Sequence, residues 1–239
     1  MQRQHNCIQF SASCFSYPFW YSILSSISAA LLRKSIIISI AIAFILWFVM
    51  FNIRPFNFWL MMTISTILLS AISFCFGGPS FRWEECTLKH VIAGLAAAAV
   101  LYGIFWLGHH ILVLINEYTG MLPQRAENLN AIYANKENVP SSLVGLLLFF
   151  PIGFGEEVYW RGFVQRYFQG RHGKWTAFFI TVVLYTGVHV PTANPVLILA
   201  ALVCGVFWGG LYVCTGSLIP VLISHMVWDP FIFIIFPIR

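Results

Sequence analysis

The sequence predicts an all-α protein, a polytopic bundle of about seven transmembrane helices (six to eight) around an intramembrane polar cavity. Three observations carry that expectation. Of 239 residues, 59% are hydrophobic and 9% charged, against about 25% charged in ordinary soluble domains. Apolar stretches long enough to cross a bilayer recur along the chain, and nearly all charged side chains fall between them. The exceptions are Glu156, Glu157, Arg161 and Asp229, which lie inside apolar stretches. Each such group costs about 2.5–3.5 kcal/mol on insertion scales and persists where it pairs, lines a cavity or performs chemistry.

Residues 1–34 form an N-terminal segment of a different character. Ile8 to Leu32 is uncharged, rich in serine and interrupted by Pro18, which suits an interfacial helix, an extra span or an over-extended start of the reading frame. Arg3 is the only nearby basic residue and no cleavage site follows, so a secretory signal is disfavoured. Residues 35–140 read as scaffold helices and a polar loop. A first span runs from Ser35 to Ile53 and is broken by Pro55; a second runs from Phe56 to Phe76 and ends at Gly77-Gly78-Pro79. The third covers His90 to Ile115, and residues 116–140 are polar and expected to be loop. Residues 141–239 hold the rest: a fourth helix from Ser141 to Phe168, a basic turn at Gly170–Lys174, and a fifth span from Trp175 to Val190 closed by Pro191 and Pro195. A sixth runs from Val196 to Cys214, and the last from Leu218 to Phe236, with Pro220 near its first turn, where proline is tolerated.

Net charge is +5, but the basic residues are scattered and form no nucleic-acid-binding stripe. The six cysteines show neither a CxxC pair nor finger spacing, so no disulfide framework or zinc ribbon is supported. The many Phe and Trp residues read as lipid-facing bulk and interface anchors. His109-His110 in the third span have no carboxylate at their depth and read as interfacial or packing residues. With residues 1–34 cytoplasmic, eight basic residues (Arg3, Arg33, Lys34, Arg82, Lys89, Arg166, Arg171, Lys174) face the cytoplasm and four (Arg54, Arg125, Lys136, Arg239) the other side. The positive-inside rule favours that orientation.

The intramembrane charges sort themselves by helical geometry. Glu157 and Arg161 are four apart and share a face, so they can pair. Glu156 is turned away by about one hundred degrees and is left free to act. Two further stretches complete the set: Tyr185-Thr186-Gly187-Val188-His189 near the end of the fifth span, and His225-Met226-Val227-Trp228-Asp229, whose histidine and carboxylate share a face of the last. Counted from one end of their helices, Glu156, His189, His225 and Asp229 lie roughly 12–22 Å deep at about 1.5 Å per residue. One shared cavity requires such a match.

Glu156-Glu157-x-x-x-Arg161, Tyr185-x-x-x-His189 and His225-x-x-x-Asp229, in this order on membrane helices, resemble the three motifs of the CAAX-protease and bacteriocin-processing (CPBP) intramembrane endopeptidases, including the Ras-converting-enzyme type. The resemblance covers about residues 141–236, and makes 141–239 the expected catalytic core. Tyr185 stands where the family usually has phenylalanine, and Asp229 where eukaryotic-type enzymes have asparagine. The resemblance implies hydrolysis of a peptide bond near the C-terminus of a lipidated, CAAX-type or hydrophobic peptide. Glu156 would be the general base and His189 would hold the water. His225 and Asp229 would form the opposing wall, with Glu157, Arg161 and Tyr185 in support. That wall is read in the family either as an oxyanion hole or as metal ligands. Asp229 when ionised cannot donate a hydrogen bond, whereas it can orient His225 or bind a cation. A zinc site drawn from Glu156, His189, His225 and Asp229 therefore stands beside the glutamate mechanism. The implied partners are membrane lipid and a lipidated or hydrophobic substrate, with no nucleic acid. The implied location is the plasma membrane of a bacterial cell, with the cavity toward the cytoplasm.

Two other functions fit the same pattern. A non-proteolytic bacteriocin-immunity or partner-binding protein on this scaffold is the nearer one, though the joint presence of Glu156, His189 and His225 speaks against a decayed site. A proton- or ion-coupled transporter also uses intramembrane Glu, His and Asp, but it would more naturally show broken helices in two related halves, and no such repeat is visible.

Overall fold

The computed structural model describes residues 18–78, 80–81, 83–136 and 139–238. Helix α1 (Pro18–Phe48) is prolonged by one wide turn, Val49–Ile53. It is followed by α2 (Phe58–Gly77), α3 (Leu88–Thr119), the short α4 (Arg125–Ala134) and α5 (Ser141–His172). Then come α6 (Lys174–Gly187), α7 (Pro195–Thr215) and α8 (Ile219–Pro230), the last prolonged through Phe231–Ile235. Among the described residues, six helices are long and apolar enough to cross a membrane, and Ile219–Ile235 is a shorter apolar helix. The predicted all-α bundle is what the chain forms.

Local chemistry sets the boundaries. The Asn57 side chain accepts from the N–H groups of Trp59 and Leu60, Thr87 caps α3 through His90, and Asn194 caps α7 through Leu197 with Pro195 in the first turn. Such caps satisfy N–H groups that a helix start leaves unpaired. Gly216 closes α7 at φ +66°, a left-handed conformation that glycine adopts without strain.

Two boundaries differ from the sequence-based expectation. The first helix is already formed at Pro18, the first described residue, rather than starting at Ser35, so Arg33 and Lys34 lie within it; residues 1–17 of the N-terminal segment fall outside the described residues. The stretch 116–140, expected as loop, contains α4. That helix has no buried residue and no side-chain N-cap bond, hence no apolar stripe to announce it. It is held from outside. The Asn194 amide donates to the Asn128 carbonyl (2.8 Å), the Trp59 indole to the Asn135 carbonyl (2.7 Å) and the Tyr133 hydroxyl to the Ile232 carbonyl (3.1 Å).

Helix α5 is not continuous. Phe150 leaves helical geometry (φ −155°, ψ 125°) just before Pro151. Proline removes a hydrogen-bond donor and crowds the preceding turn, which accounts for the break. A second irregularity, the wide turn Trp160–Gln165, follows the acidic pair. Wide turns of this kind often mark functional positions. Small residues let neighbours reach this helix. A Cβ on Gly155 would lie 3.0 Å from the Ser70 hydroxyl and 3.1 Å from the Thr66 carbonyl on α2. Across the bundle, a Cβ on Gly94 of α3 would lie 2.7 Å from the Ile223 Cβ and 2.9 Å from the Pro220 carbonyl of α8.

The apolar surface divides by environment. Side chains such as Ile37, Leu60, Ile92, Leu107, Phe179 and Val183 point outward, as lipid-facing residues do. The tryptophans correct the expectation. Trp106 and Trp175 are exposed, but Trp47, Trp160 and Trp208 are among the largest fully buried side chains. Trp47 and Trp208 each find an acceptor inside, at His189 and Ser224, and indoles enter an interior where the N–H can be paired.

Replacing Gly94 by alanine forces α3 and α8 apart, and overpacking of this kind costs about 1–3 kcal/mol. Thermal unfolding of Gly94→Ala in detergent is expected at a clearly lower temperature than wild type. An unchanged transition would mean that the two helices are not in the contact described.

Candidate active site

The acidic pair sits on the second half of α5, past the break at Phe150, and its two members have different surroundings. The Glu157 Oε1 oxygen accepts from Arg161 Nη1 and from His225 Nδ1, both at 2.7 Å. Glu157 and Arg161 are completely buried, at 0% exposure. Arg161 reaches on to α7, where its other terminal nitrogen lies 3.4 Å from the carbonyl oxygens of Cys204 and Gly205. Its guanidinium also lies 4.8 Å from the centre of the Tyr185 ring and 5.7 Å from that of Trp208, distances typical of cation–π contacts. One carboxylate thus ties α5 to α8 directly and to α7 through its arginine.

Glu156 belongs to none of this. Its Oε2 oxygen accepts from the Tyr185 hydroxyl at 3.0 Å, and its side chain faces a cavity of about 320 Å³. Tyr185, His189, His225 and Asp229 line the same cavity. Glu157 and Arg161 lie behind its wall. The three stretches picked out in the sequence therefore meet at one place.

The two histidines are held differently. His189 lies just past the end of α6, and its Nδ1 faces the Tyr185 carbonyl at 2.8 Å. A carbonyl can only accept, so Nδ1 carries the proton and Nε2 presents a lone pair. The Trp47 indole N–H approaches that Nε2 at 3.4 Å. His225 stacks on Trp208 with ring centres 3.6 Å apart and planes inclined by 16°. Its Nδ1 faces Glu157 and its Nε2 faces the Asp229 Oδ2 oxygen at 3.3 Å. A ring protonated at both nitrogens could donate to both carboxylates, whereas a neutral ring would keep a lone pair on one side. Among the described residues, no three or more His, Cys, Asp or Glu side chains gather as a metal site.

Several contributors were not legible in sequence. Trp47 is 142 positions from His189 and lies in a span with no charged neighbour at that depth. Trp208 gave no signal beyond being aromatic. His109, read as interfacial or packing, lines the cavity; His110 points elsewhere, its Nδ1 donating to the Trp106 carbonyl at 2.8 Å. The buried Cys204 lines the cavity too, while Cys75, Cys86 and Cys214 are exposed.

The cavity also bears on orientation. Its wall includes Phe51, Phe58, Tyr133, Val196 and Ile238, all from the end of the bundle that carries α4. The charge count assigns that end to the non-cytoplasmic side. With the N-terminal segment on the cytoplasmic side, as the charge count favours, that part of the cavity wall would lie toward the opposite side.

The fold and site define a class: a polytopic helical membrane protein with a buried carboxylate–histidine centre open to an apolar cavity. The comparisons narrow it. Residues 138–231 match the family model described as Rce1-like: Type II CAAX prenyl endopeptidase Rce1-like. That match agrees with the resemblance read from the motifs and supports, at family level, a CAAX-type intramembrane endopeptidase. No curated protein and no solved structure matches the chain.

Glu157→Gln leaves Arg161 buried without its counter-charge, a loss of about 3–5 kcal/mol in stability. Tyr185→Phe removes one hydroxyl, with an expected cost of roughly 1–2 kcal/mol. Melting curves of the two variants side by side check the ranking. A Glu157→Gln protein as stable as Tyr185→Phe would contradict the central role of Glu157.

Proposed function

We propose that the chain is an intramembrane endopeptidase that cuts near the C-terminus of a prenylated peptide with a glutamate-activated water. The observation that carries this reading is the contrast within the acidic pair. Glu157 is bound up with Arg161 and His225, whereas Glu156 has one hydrogen bond, from Tyr185, and faces the cavity. The family match supports a prenylated peptide as the substrate class.

In this reading Glu156 accepts a proton from water as the oxygen attacks the scissile carbonyl, and later returns it to the leaving amine. The water's second hydrogen is held by the Nε2 lone pair of His189, taking the place of the long 3.4 Å contact from the Trp47 indole, while the ring stays fixed by the Tyr185 carbonyl. His225, doubly protonated between Glu157 and Asp229, supplies the positive N–H edge for the tetrahedral oxyanion. Its Nε2–H has only the 3.3 Å contact to Asp229 to give up. Asp229 orients the ring. A zinc site would require His225 to release one carboxylate and turn a lone pair inward, so the arrangement favours the metal-free chemistry, and no step is assigned to a metal. We further propose that the α4 end faces the compartment holding the prenylated protein, because residues from that end, such as Phe51, Phe58, Tyr133 and Ile238, line the cavity.

The decisive assay is mass spectrometry of products from a prenylated peptide incubated with purified protein in vesicles. Wild type should release a C-terminal fragment, and Glu156→Gln should release none while keeping a wild-type melting curve. A folded Glu156→Gln protein that still cleaves would overturn the assignment of the base. Asp229→Asn retains an acceptor for His225 and should keep turnover within roughly tenfold, since loss of a true oxyanion donor costs on the order of 10²–10³. Collapse of activity in that variant, with recovery on adding zinc, would favour the metal mechanism instead. Orientation is read separately. In a cysteine-free background, Ala126→Cys should react with an impermeant thiol reagent from the substrate side and Arg171→Cys from the other; the opposite pattern would reverse the proposed orientation.

A further inference from the structure

One cation in the cavity wall is not used by the chemistry above. Arg125, the first residue of α4, is the only lysine or arginine lining the cavity among the described residues. The remainder of that wall is almost wholly aliphatic and aromatic, apart from the reacting centre and His109. Arg125 Nη1 lies 3.4 Å from His109 Nδ1, its one hydrogen bond, and its buried Nε has no partner. Among the described residues no carboxylate lies within ion-pair distance of it. A guanidinium turned to an apolar cavity with donors to spare is suited to a planar, two-oxygen anion.

Its position is set by α3. Phe105 packs against Trp228, with ring centres 4.8 Å apart, at the level of the reacting centre. His109 is one turn further toward α4, about 6 Å along the axis. An extended peptide advances about 3.3–3.6 Å per residue, so Arg125 stands roughly two to three residues beyond a carbonyl placed at Glu156. We propose that Arg125, steadied by His109, binds the free C-terminal carboxylate of the substrate and so measures how far from the chain end the cut is made. This rests on the protease reading of the same cavity. The apolar wall between the two points takes the intervening side chains. The site therefore discriminates a chain end from an internal segment of equal hydrophobicity.

The test compares one prenylated peptide ending in a free carboxylate with the same peptide ending in an amide. Both are assayed in phospholipid-free detergent and again in vesicles containing anionic lipid. Wild type should prefer the acid by roughly 10- to 100-fold in kcat/KM, expressed mainly in KM, as expected for loss of a charge-assisted hydrogen bond. Arg125→Gln should bring the acid-to-amide ratio close to one, and Arg125→Lys should restore part of it. Equal cleavage of acid and amide by wild type sinks this inference while leaving the protease reading intact. Cleavage of neither peptide sinks both. A defect of Arg125→Gln confined to anionic vesicles would assign the arginine to a lipid headgroup and overturn the carboxylate role.

Discussion

The Glu157 carboxylate is the constraint around which the bundle closes. A single oxygen takes two charge-assisted hydrogen bonds, one from its own helix and one from α8. Bringing these groups out of water is costly, and only close mutual pairing offsets it. Arg161 carries the linkage on to two backbone carbonyls of α7, and the rings of Tyr185 and Trp208 flank its guanidinium. The polar centre thus holds α5, α7 and α8 at fixed distances. Those helices also supply Glu156, Cys204, His225 and Asp229 to the cavity wall.

Charge counting explains why adjacent glutamates differ in use. Glu157 and Asp229 together face Arg161 and His225. With His225 protonated at both nitrogens, as proposed above, that set is neutral in itself. Glu156 lies outside it, and its one hydrogen bond comes from an uncharged tyrosine hydroxyl. A carboxyl group in that position can gain or lose a proton without breaking any ion pair that holds the helices together. Separating the ion-paired acid from the one that faces the cavity by a single residue is what a rotation of about one hundred degrees per residue makes available.

How much of this was legible depends on the kind of signal. The helices at Phe58–Gly77 and Pro195–Thr215 could be read within a few residues, because long apolar runs bounded by Asn57, Asn194 and Gly216 leave few alternatives. The meeting of Glu156, Tyr185, His189, His225 and Asp229 was legible because polar groups in apolar spans have few places to go. Helix α4 was not, since it lacks an apolar stripe and is held by backbone carbonyls and the side chains of distant residues such as Trp59 and Asn194. Trp47 was hidden for a related reason. A tryptophan in an apolar run reads as a lipid anchor, and only the fold brings its N–H to His189. The break at Phe150 was within reach, as Pro151 was in view, but an uncharged run of residues read as one straight helix.

Orientation shows the same asymmetry between local and collective signals. Charge counting treats every basic residue as a free vote for one side of the membrane. Several are committed elsewhere: Arg166 donates to the Gly77 carbonyl at 2.7 Å, Arg171 lies over the Tyr167 ring at 3.9 Å, and Lys136 donates to the Phe233 carbonyl at 2.9 Å. Arg125 is turned to the cavity. Residues held by the protein are retained for reasons other than topology, so their number says less about sidedness than the count assumes. The cavity is a property of the whole bundle, fixed by every helix that contributes to its wall. Sidedness read from the bundle as a whole therefore draws on more of the chain than a count of basic residues does.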